Sequence, residues 1–177
     1  VNKLIATSDG DLLGTEFKKI RNKILRRQPR SKGKKRAFTE RDQFINRTIK
    51  ALPWDSIKAL GIEELNGIKR GKRRNREKRF RRAMAPWAAR MVTTRLGHRA
   101  QENRVLLVPV SAENTSRECP SCGTVSPKNR KGEDFCCVAC GYRADADFVG
   151  ATNVLVRTLR FMESLESSML KKVKEIT

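Results

Sequence analysis

Histidine is nearly missing from this chain. His98 stands alone among 177 residues, and a single imidazole with no partner pattern is a poor basis for His-centred catalysis, so it is read as a helix residue. Long apolar runs are missing as well. No stretch is long enough to span a bilayer and no secretory signal is present, so the expectation is a cytoplasmic, nucleoid-associated protein without a membrane partner. Cysteine is absent from the first 118 residues, and all five cysteines fall between Cys119 and Cys140. No internal repeat is visible.

Acids are scarce, and that scarcity carries information. Forty Lys and Arg face 19 Asp and Glu, a formal net charge of +21. Such a field holds phosphates and makes binding steeply dependent on salt. The charge is clustered. Lys18 to Arg36 is a basic run without one acid, and Lys69 to Arg82 is a second with only Glu77 to offset it. Within them Lys32, Lys34, Lys35 and Arg36, and Lys69, Arg70, Lys72, Arg73, Arg74 and Arg76, are the candidate nucleic-acid contacts. Blocks of this kind grip phosphates rather than read bases. A ribosomal or generic RNA-binding role fits the charge equally well.

The cysteines have a spacing. Cys119-Pro-Ser-Cys122-Gly and Cys137-Val-Ala-Cys140-Gly are two knuckles, each a tight turn that points two thiolates at one cation. Together they predict a tetrahedral zinc site closed by four cysteines, hence structural rather than catalytic. Cys136 has the wrong spacing for a knuckle and is read as a non-ligand at the end of a short strand. A pair of disulfides is the competing reading, disfavoured by the intracellular charge pattern.

A pass along the chain alternates strands and helices. Lys3 to Ser8 reads as a strand, Asp9-Gly10 as a hairpin turn and Asp11 to Phe17 as the returning strand. The first basic run reads as a helix start and a mobile loop around Gly33. Thr39-x-x-Asp42 resembles a capping box opening a helix with Phe44, Ile45, Thr48, Ile49 and Leu52 on one face, ended by Pro53. Ser56 to Leu65 is the next strand candidate. Pro86 to about Asn103 reads as a helix with Trp87, Met91 and Leu96 on its apolar side. Arg104 to Val110 is a buried-looking strand, and Asp147 to about Glu166 a closing helix with Leu155, Leu159 and Met162 inward. This order predicts a three-layer α/β domain interrupted near its end by the zinc module.

Carboxylates stand at the ends of these elements. Glu63 and Glu64 close a strand candidate, and Asp145 and Asp147 open the last helix. Brought into one crevice, such groups suit Mg²⁺ or Mn²⁺, and a metal pair about 4 Å apart supports phosphodiester cleavage. The pattern equally allows Glu63 and Glu64 as a solvated strand end and Asp145 as a helix cap.

The run Ser116-Arg-Glu-Cys119-Pro-Ser-Cys122-Gly, then Phe135-Cys-Cys137-Val-Ala-Cys140-Gly-Tyr142, then Asp145-Ala-Asp147-Phe-Val-Gly-Ala-Thr-Asn153-Val-Leu resembles the C-terminal zinc ribbon and last RuvC motif of the TnpB transposon-associated proteins and the related type V CRISPR effectors. Val1-Asn-Lys-Leu-Ile-Ala-Thr-Ser-Asp-Gly10, Gly61-Ile-Glu63-Glu64-Leu65-Asn66, Trp87 and Val108-Pro-Val match in the same order, so the resemblance runs over nearly the whole chain.

The resemblance implies an RNase H-like RuvC domain, with residues 1–115 as its first part carrying basic insertions, 116–142 as the zinc ribbon, and 143–177 as the last motif and C-terminal helix. It implies DNA as substrate, a guide RNA as partner, and two Asp and one Glu binding two Mg²⁺ or Mn²⁺. Glu63 matches the family's Glu and Asp147 its last Asp. Asp145 is then a neighbour. Val149 stands where the family often has Asn. The family's first Asp, in an Asp-x-Gly turn before the residues matching Val1-Asn-Lys-Leu, is not among these residues, so the first strand is expected to be missing. The chain alone is accordingly expected to be inactive. Two other classes stay open: a nuclease-dead relative or transposon remnant that binds RNA or DNA without cutting, and a plain zinc-ribbon RNA-binding protein.

Overall fold

The computed structural model describes residues 4–64 and 89–176. They fall into two compact units.

The first unit lies within Val1–Ala6, Asp11–Lys58 and Leu65–Val105. It opens with the short antiparallel pair β1 (Ile5–Ala6) and β2 (Leu12–Leu13), in register Ile5 with Leu13 and Ala6 with Leu12. The expected hairpin is present, but its return stops at Leu13, because Phe17 already begins helix α1 (Phe17–Arg26). Phe17, Ile20 and Ile24 recur on one helical face and are buried, each burial contributing roughly 1.5–3 kcal/mol.

The expected loop around Gly33 is corrected by helix α2 (Lys32–Lys50), which runs through it. Ser31 is the cap: its hydroxyl oxygen accepts from the Lys34 amide at 3.1 Å, meeting one of the first-turn donors that a helix leaves unpaired. Thr39 therefore lies mid-helix, its hydroxyl donating to the Lys35 carbonyl at 3.3 Å. Straight-chain Lys and Arg are good helix formers, which lets α2 start seven residues before the capping box. Ala37, Ile45 and Ile49 are its buried positions, with Ile20, Ile24 and Ala37 forming a core against which Phe38 and Phe44 pack. Lys23 joins α1 to α2 through Glu40 at 2.5 Å. The helix ends before Pro53, and the buried Trp54 donates its indole N–H at 2.9 Å to the Ile49 carbonyl, a last-turn acceptor that also takes the Leu52 amide at 3.3 Å.

Helix α3 (Ala89–Glu102) packs on α2 and buries Val92, Leu96 and Ala100. Met91 is half-buried, and Trp87 lies outside the described residues. Arg104 adopts φ of 56°; its amide bonds the Gln101 carbonyl and that of Val105 the Ala100 carbonyl, a Schellman ending.

The second unit comprises Thr7–Gly10, Ala59–Glu64 and Leu106–Thr177. Its centre is a parallel pair, β3 (Ala59–Glu64) and β4 (Leu106–Ser111), in register from Ala59 with Leu106 to Glu64 with Ser111. Val108 and Val110 of β4 are buried. A three-stranded antiparallel ribbon follows, β5 (Arg130–Lys131), β6 (Asp134–Cys136) and β7 (Arg143–Asp145). β7 runs without a loop into helix α4 (Ala146–Ile176), which packs on β3 and β4.

The face that α4 buries is not the expected one. Leu155 and Leu159 are 40% and 48% exposed and Met162 is half-buried, whereas Val149, Asn153 and Thr158 are buried. Gly61 explains the choice: a Cβ built there would lie 1.9 Å from Thr158 Oγ1. The helix backbone comes so close to β3 that small and polar residues fit where leucine cannot.

Candidate functional site

The four knuckle cysteines converge. Their sulfurs all lie within 4.8 Å of one another, the one group of three or more potential ligands gathered this way among the described residues. Cys119 and Cys140 approach to 3.6 Å, as do Cys122 and Cys137. Four thiolates about 2.3 Å from a tetrahedral zinc would stand about 3.8 Å apart, so the donor set and its spacing fit that ion.

The two knuckles are built alike. The Gly123 amide donates to the Cys119 carbonyl at 2.8 Å and the Gly141 amide to the Cys137 carbonyl at 3.0 Å. Both glycines adopt φ of 75°, a left-handed turn that L side chains resist. Cys136 is exposed and outside the cluster.

The thiols are electrostatically unequal. The Thr124 hydroxyl and backbone lower Cys122 to about 6. The Cys140 amide lowers Cys137. For Cys140 the Tyr142 backbone pulls downward, but Cys122, burial, Cys119 and Cys137 outweigh it and push the group up to about 12. Four thiols sharing one small volume cannot all ionise without a cation.

Asn129 was not singled out by the sequence reading, yet it staples the ribbon. It is fully buried. Its amide nitrogen donates to the Arg117 and Thr124 carbonyls at 2.9 and 3.0 Å, and its oxygen accepts from the Val138 amide at 3.0 Å, so one side chain bridges both knuckles. Asn129→Ala would remove three hydrogen bonds and leave the Val138 amide without its acceptor, and we expect a loss of about 1–3 kcal/mol, read as a lowered melting temperature of the zinc-loaded chain. An unchanged melting temperature would remove the staple.

Glu63 is half-buried near the end of β3, and Glu64 is exposed. Thr115 donates its hydroxyl to Glu63 Oε1 at 2.5 Å. Asp145 takes the helix-cap role that the pattern allowed, accepting from the Asp147 and Phe148 amides at 2.8 and 3.4 Å. Asp147 sits in the first turn of α4, its side chain 36% exposed, with Arg130 Nη2 at 3.4 Å. Glu63 and Asp147 thus belong to one compact unit.

Two α4 residues tie this unit together. Asn153 donates to the Thr115 and Glu118 carbonyls at 2.7 and 2.8 Å. Arg157 donates to the Ser111 carbonyl and to Glu118 Oε2, both at 2.6 Å. Polar residues about two and three helical turns beyond Asp147 were the available signal, and apolar periodicity passes over them because it counts only apolar positions.

Of the candidate phosphate contacts, Lys32, Lys35 and Arg36 are exposed on the first turns of α2 and Lys34 is half-buried there. Lys69, Arg70, Lys72, Arg73, Arg74 and Arg76 lie outside the described residues. No described helix is long and apolar enough to cross a membrane.

Comparison with known proteins finds similarity over part of the chain. Residues 90–154 match the model described as Cas12f1-like, TNB domain. The CRISPR-associated endodeoxyribonuclease Cas12f1 of Sulfoacidibacillus thermotolerans is 30% identical over 76 residues, covering 42% of this chain and 18% of that protein. The chain therefore spans less than a fifth of the curated relative it matches. Among solved structures, the Cas12f1-sgRNA-target DNA complex aligns with a TM-score of 0.53 at 21% identity, covering 77% of this chain and 40% of that one. CasPhi-2 (Cas12j) bound to crRNA aligns with a TM-score of 0.51 at 21% identity, covering 71% and 21%. At these identities the structures show a shared mixed α/β fold. Over residues 90–154 the chain is thus similar to the Cas12f1-like TNB domain.

Proposed function

We propose that this chain is the RuvC, RNase H-like part of an RNA-guided, metal-dependent DNA endonuclease that hydrolyses DNA phosphodiesters. One observation carries the reading: the cysteine ribbon is inserted between β4 and α4, in the same compact unit as Glu63 at the end of β3 and Asp147 in the first turn of α4. The named relative is an endodeoxyribonuclease, and the aligned Cas12f1 structure is a complex with sgRNA and target DNA.

Zinc in the four-cysteine site is structural, since four protein ligands leave no open position. Glu63 and Asp147 would hold Mg²⁺ or Mn²⁺, which when bound lowers the pKa of water and stabilises the departing oxygen. The chain's own residues prepare that site. Thr115 fixes one oxygen of Glu63, Asp145 caps α4 and so sets the direction of its first turn, and the exposed lysines of α2 hold phosphates. Glu63 and Asp147 are the two carboxylates assigned to the metal here; the Asp-x-Gly carboxylate that the resemblance implies is not among the 177 residues.

The test is Mg²⁺-dependent cleavage of guide-matched DNA by the gene-encoded protein. Glu63→Gln and Asp147→Asn are each expected to lower the rate more than about 100-fold while zinc content and RNA binding stay level. Cleavage that survives both changes would end the endonuclease assignment. The Arg130–Asp147 ion pair supports a second reading, in which Asp147 is structural and the protein binds RNA or DNA without cutting; that reading predicts no cleavage at any Mg²⁺ or Mn²⁺ concentration.

A further inference from the structure

We propose that Thr115 is a positioning residue for the Glu63 carboxylate, and that Asn153 makes this hold conditional on a folded zinc ribbon. The inference rests on the reading of Glu63 as a cation-binding group.

Thr115 is 4% exposed, and its hydroxyl reaches Glu63 across 52 residues of sequence. The 2.5 Å separation is that of a strong O–H···O⁻ bond. The same hydroxyl lies 3.3 Å from the Ala112 carbonyl, but it has one proton, and the carboxylate is the nearer and charged acceptor. Only Oε1 of Glu63 is engaged in this way among the described residues. One oxygen is held and the other meets no donor among the described residues, an arrangement suited to presenting a carboxylate to a cation.

Thr115 is itself held. Its carbonyl accepts from Asn153, which is 5% exposed and bonds the Glu118 carbonyl with the same nitrogen. Glu118 immediately precedes the ligand Cys119, and its amide turns back to the Asn114 carbonyl at 2.9 Å. Asn114 adopts φ of 57°, so the segment is a tight turn, not a free loop. Arg157 clamps both flanks of it through Ser111 and Glu118. On the ribbon side, Asn129 grips the Arg117 carbonyl and the Val138 amide of the second knuckle. Every link from the knuckles to Glu63 is therefore a hydrogen bond or a peptide unit. Without the ribbon's cation the knuckles lose their geometry, the turn loses its anchor at residues 117 and 118, and Thr115 no longer defines where the Glu63 carboxylate sits.

The experiment uses the zinc-loaded chain with ¹³C-labelled glutamate side chains and Mn²⁺ as the probe cation. Thr115→Val, which keeps the shape and removes the hydroxyl, is expected to shift the Glu63 carboxylate resonance and weaken Mn²⁺ binding about 10- to 100-fold, while Thr115→Ser restores both. Stripping zinc from the unsubstituted chain is expected to shift the same resonance. Thr115→Val with an unmoved resonance and unchanged Mn²⁺ affinity overturns the inference, and zinc removal that leaves the resonance in place overturns the coupling. Glu63→Gln separates the two levels: if it abolishes Mn²⁺ binding while Thr115→Val does nothing, the positioning role fails and the cation reading stands. If Glu63→Gln leaves Mn²⁺ binding intact, both fail. Should Thr115→Val not take up zinc, the unsubstituted chain decides: a slowly exchanging Thr115 hydroxyl proton with a nuclear Overhauser contact to the Glu63 γ-methylene supports the bond, and its absence overturns it.

Discussion

Gly61→Val is expected to destabilise strongly the unit that contains β3, β4 and α4. A Cβ at residue 61 would stand 1.9 Å from Thr158 Oγ1, 3.1 Å from Thr158 Cβ and 3.2 Å from Val154 Cγ1. Thr158 cannot easily give way, because it is buried and its hydroxyl is tied to the Val154 carbonyl at 2.8 Å. Relief therefore requires α4 to lift from the strand pair. Overpacking of a well-filled core commonly costs about 1–3 kcal/mol, and here a β-branched side chain must fit where even a methyl group collides, so we expect the upper end or beyond. Against a total stability of roughly 5–15 kcal/mol that is a large share. The check is the urea midpoint of the zinc-loaded chain. Gly61→Ala should fall between, and Gly61→Ala with Thr158→Ala should regain part of the loss, since the atom at 1.9 Å is then gone. A midpoint equal to that of the unsubstituted chain would mean that helix and strand do not approach so closely.

Zinc removal is the second large effect. The ribbon's strands are two or three residues long, and its buried cluster is Cys119, Phe135 and Cys137 with Ala146 and Val149 at the start of α4. Two of the three ribbon members are knuckle cysteines, so little apolar core would remain once a cation shared by them is removed. Structural zinc sites of this kind contribute roughly 10–16 kcal/mol of binding free energy. Chelation or Cys137→Ser is expected to abolish ribbon structure, followed by the loss of slowly exchanging amides at Cys119, Gly123, Cys137 and Gly141.

The dependence on pH has a definite sign. Near pH 7 Cys122, lowered to about 6, is largely thiolate, whereas Cys140, raised to about 12, keeps its proton until a cation displaces it. Binding expels that proton, so acid favours the empty site, and zinc affinity should fall about tenfold per pH unit for each proton expelled. Competition titrations with a chelator at several pH values measure this; an affinity independent of pH would contradict the unequal thiols.

Some of this was legible in the sequence, and the reasons differ by residue. The cysteine site was readable because a knuckle is a local object: ligand spacing and the following glycine are fixed within five residues. The hairpin around Asp9-Gly10 and the stop before Pro53 were readable on the same ground. The start of α2 was not, since two capping signals compete, and Ser31, though it lacks the box pattern of Thr39-x-x-Asp42, precedes a run of good helix formers. The buried face of α4 was misread because leucine at helical spacing looks like core, whereas the deciding residue, Gly61, lies on another element nearly 100 residues away. Thr115 and Asn129 were missed for a related reason. Their importance is that they are buried and bonded, and a sequence marks neither condition.

The turn that joins β5 to β6 has a use in engineering. Lys131, Gly132, Glu133 and Asp134 are all exposed, and nothing lies within 4 Å of a Cβ built at Gly132. The Glu133 carbonyl is engaged, by the Ala146 amide at 2.8 Å, so the permissive bond is the one before Gly132. A short peptide spliced there would project into solvent from a rim whose chain ends are already pinned by paired strands, a site for an affinity label or fluorophore on the metal ribbon that lies outside both knuckles and gives up only the Arg130 bond to the Gly132 carbonyl.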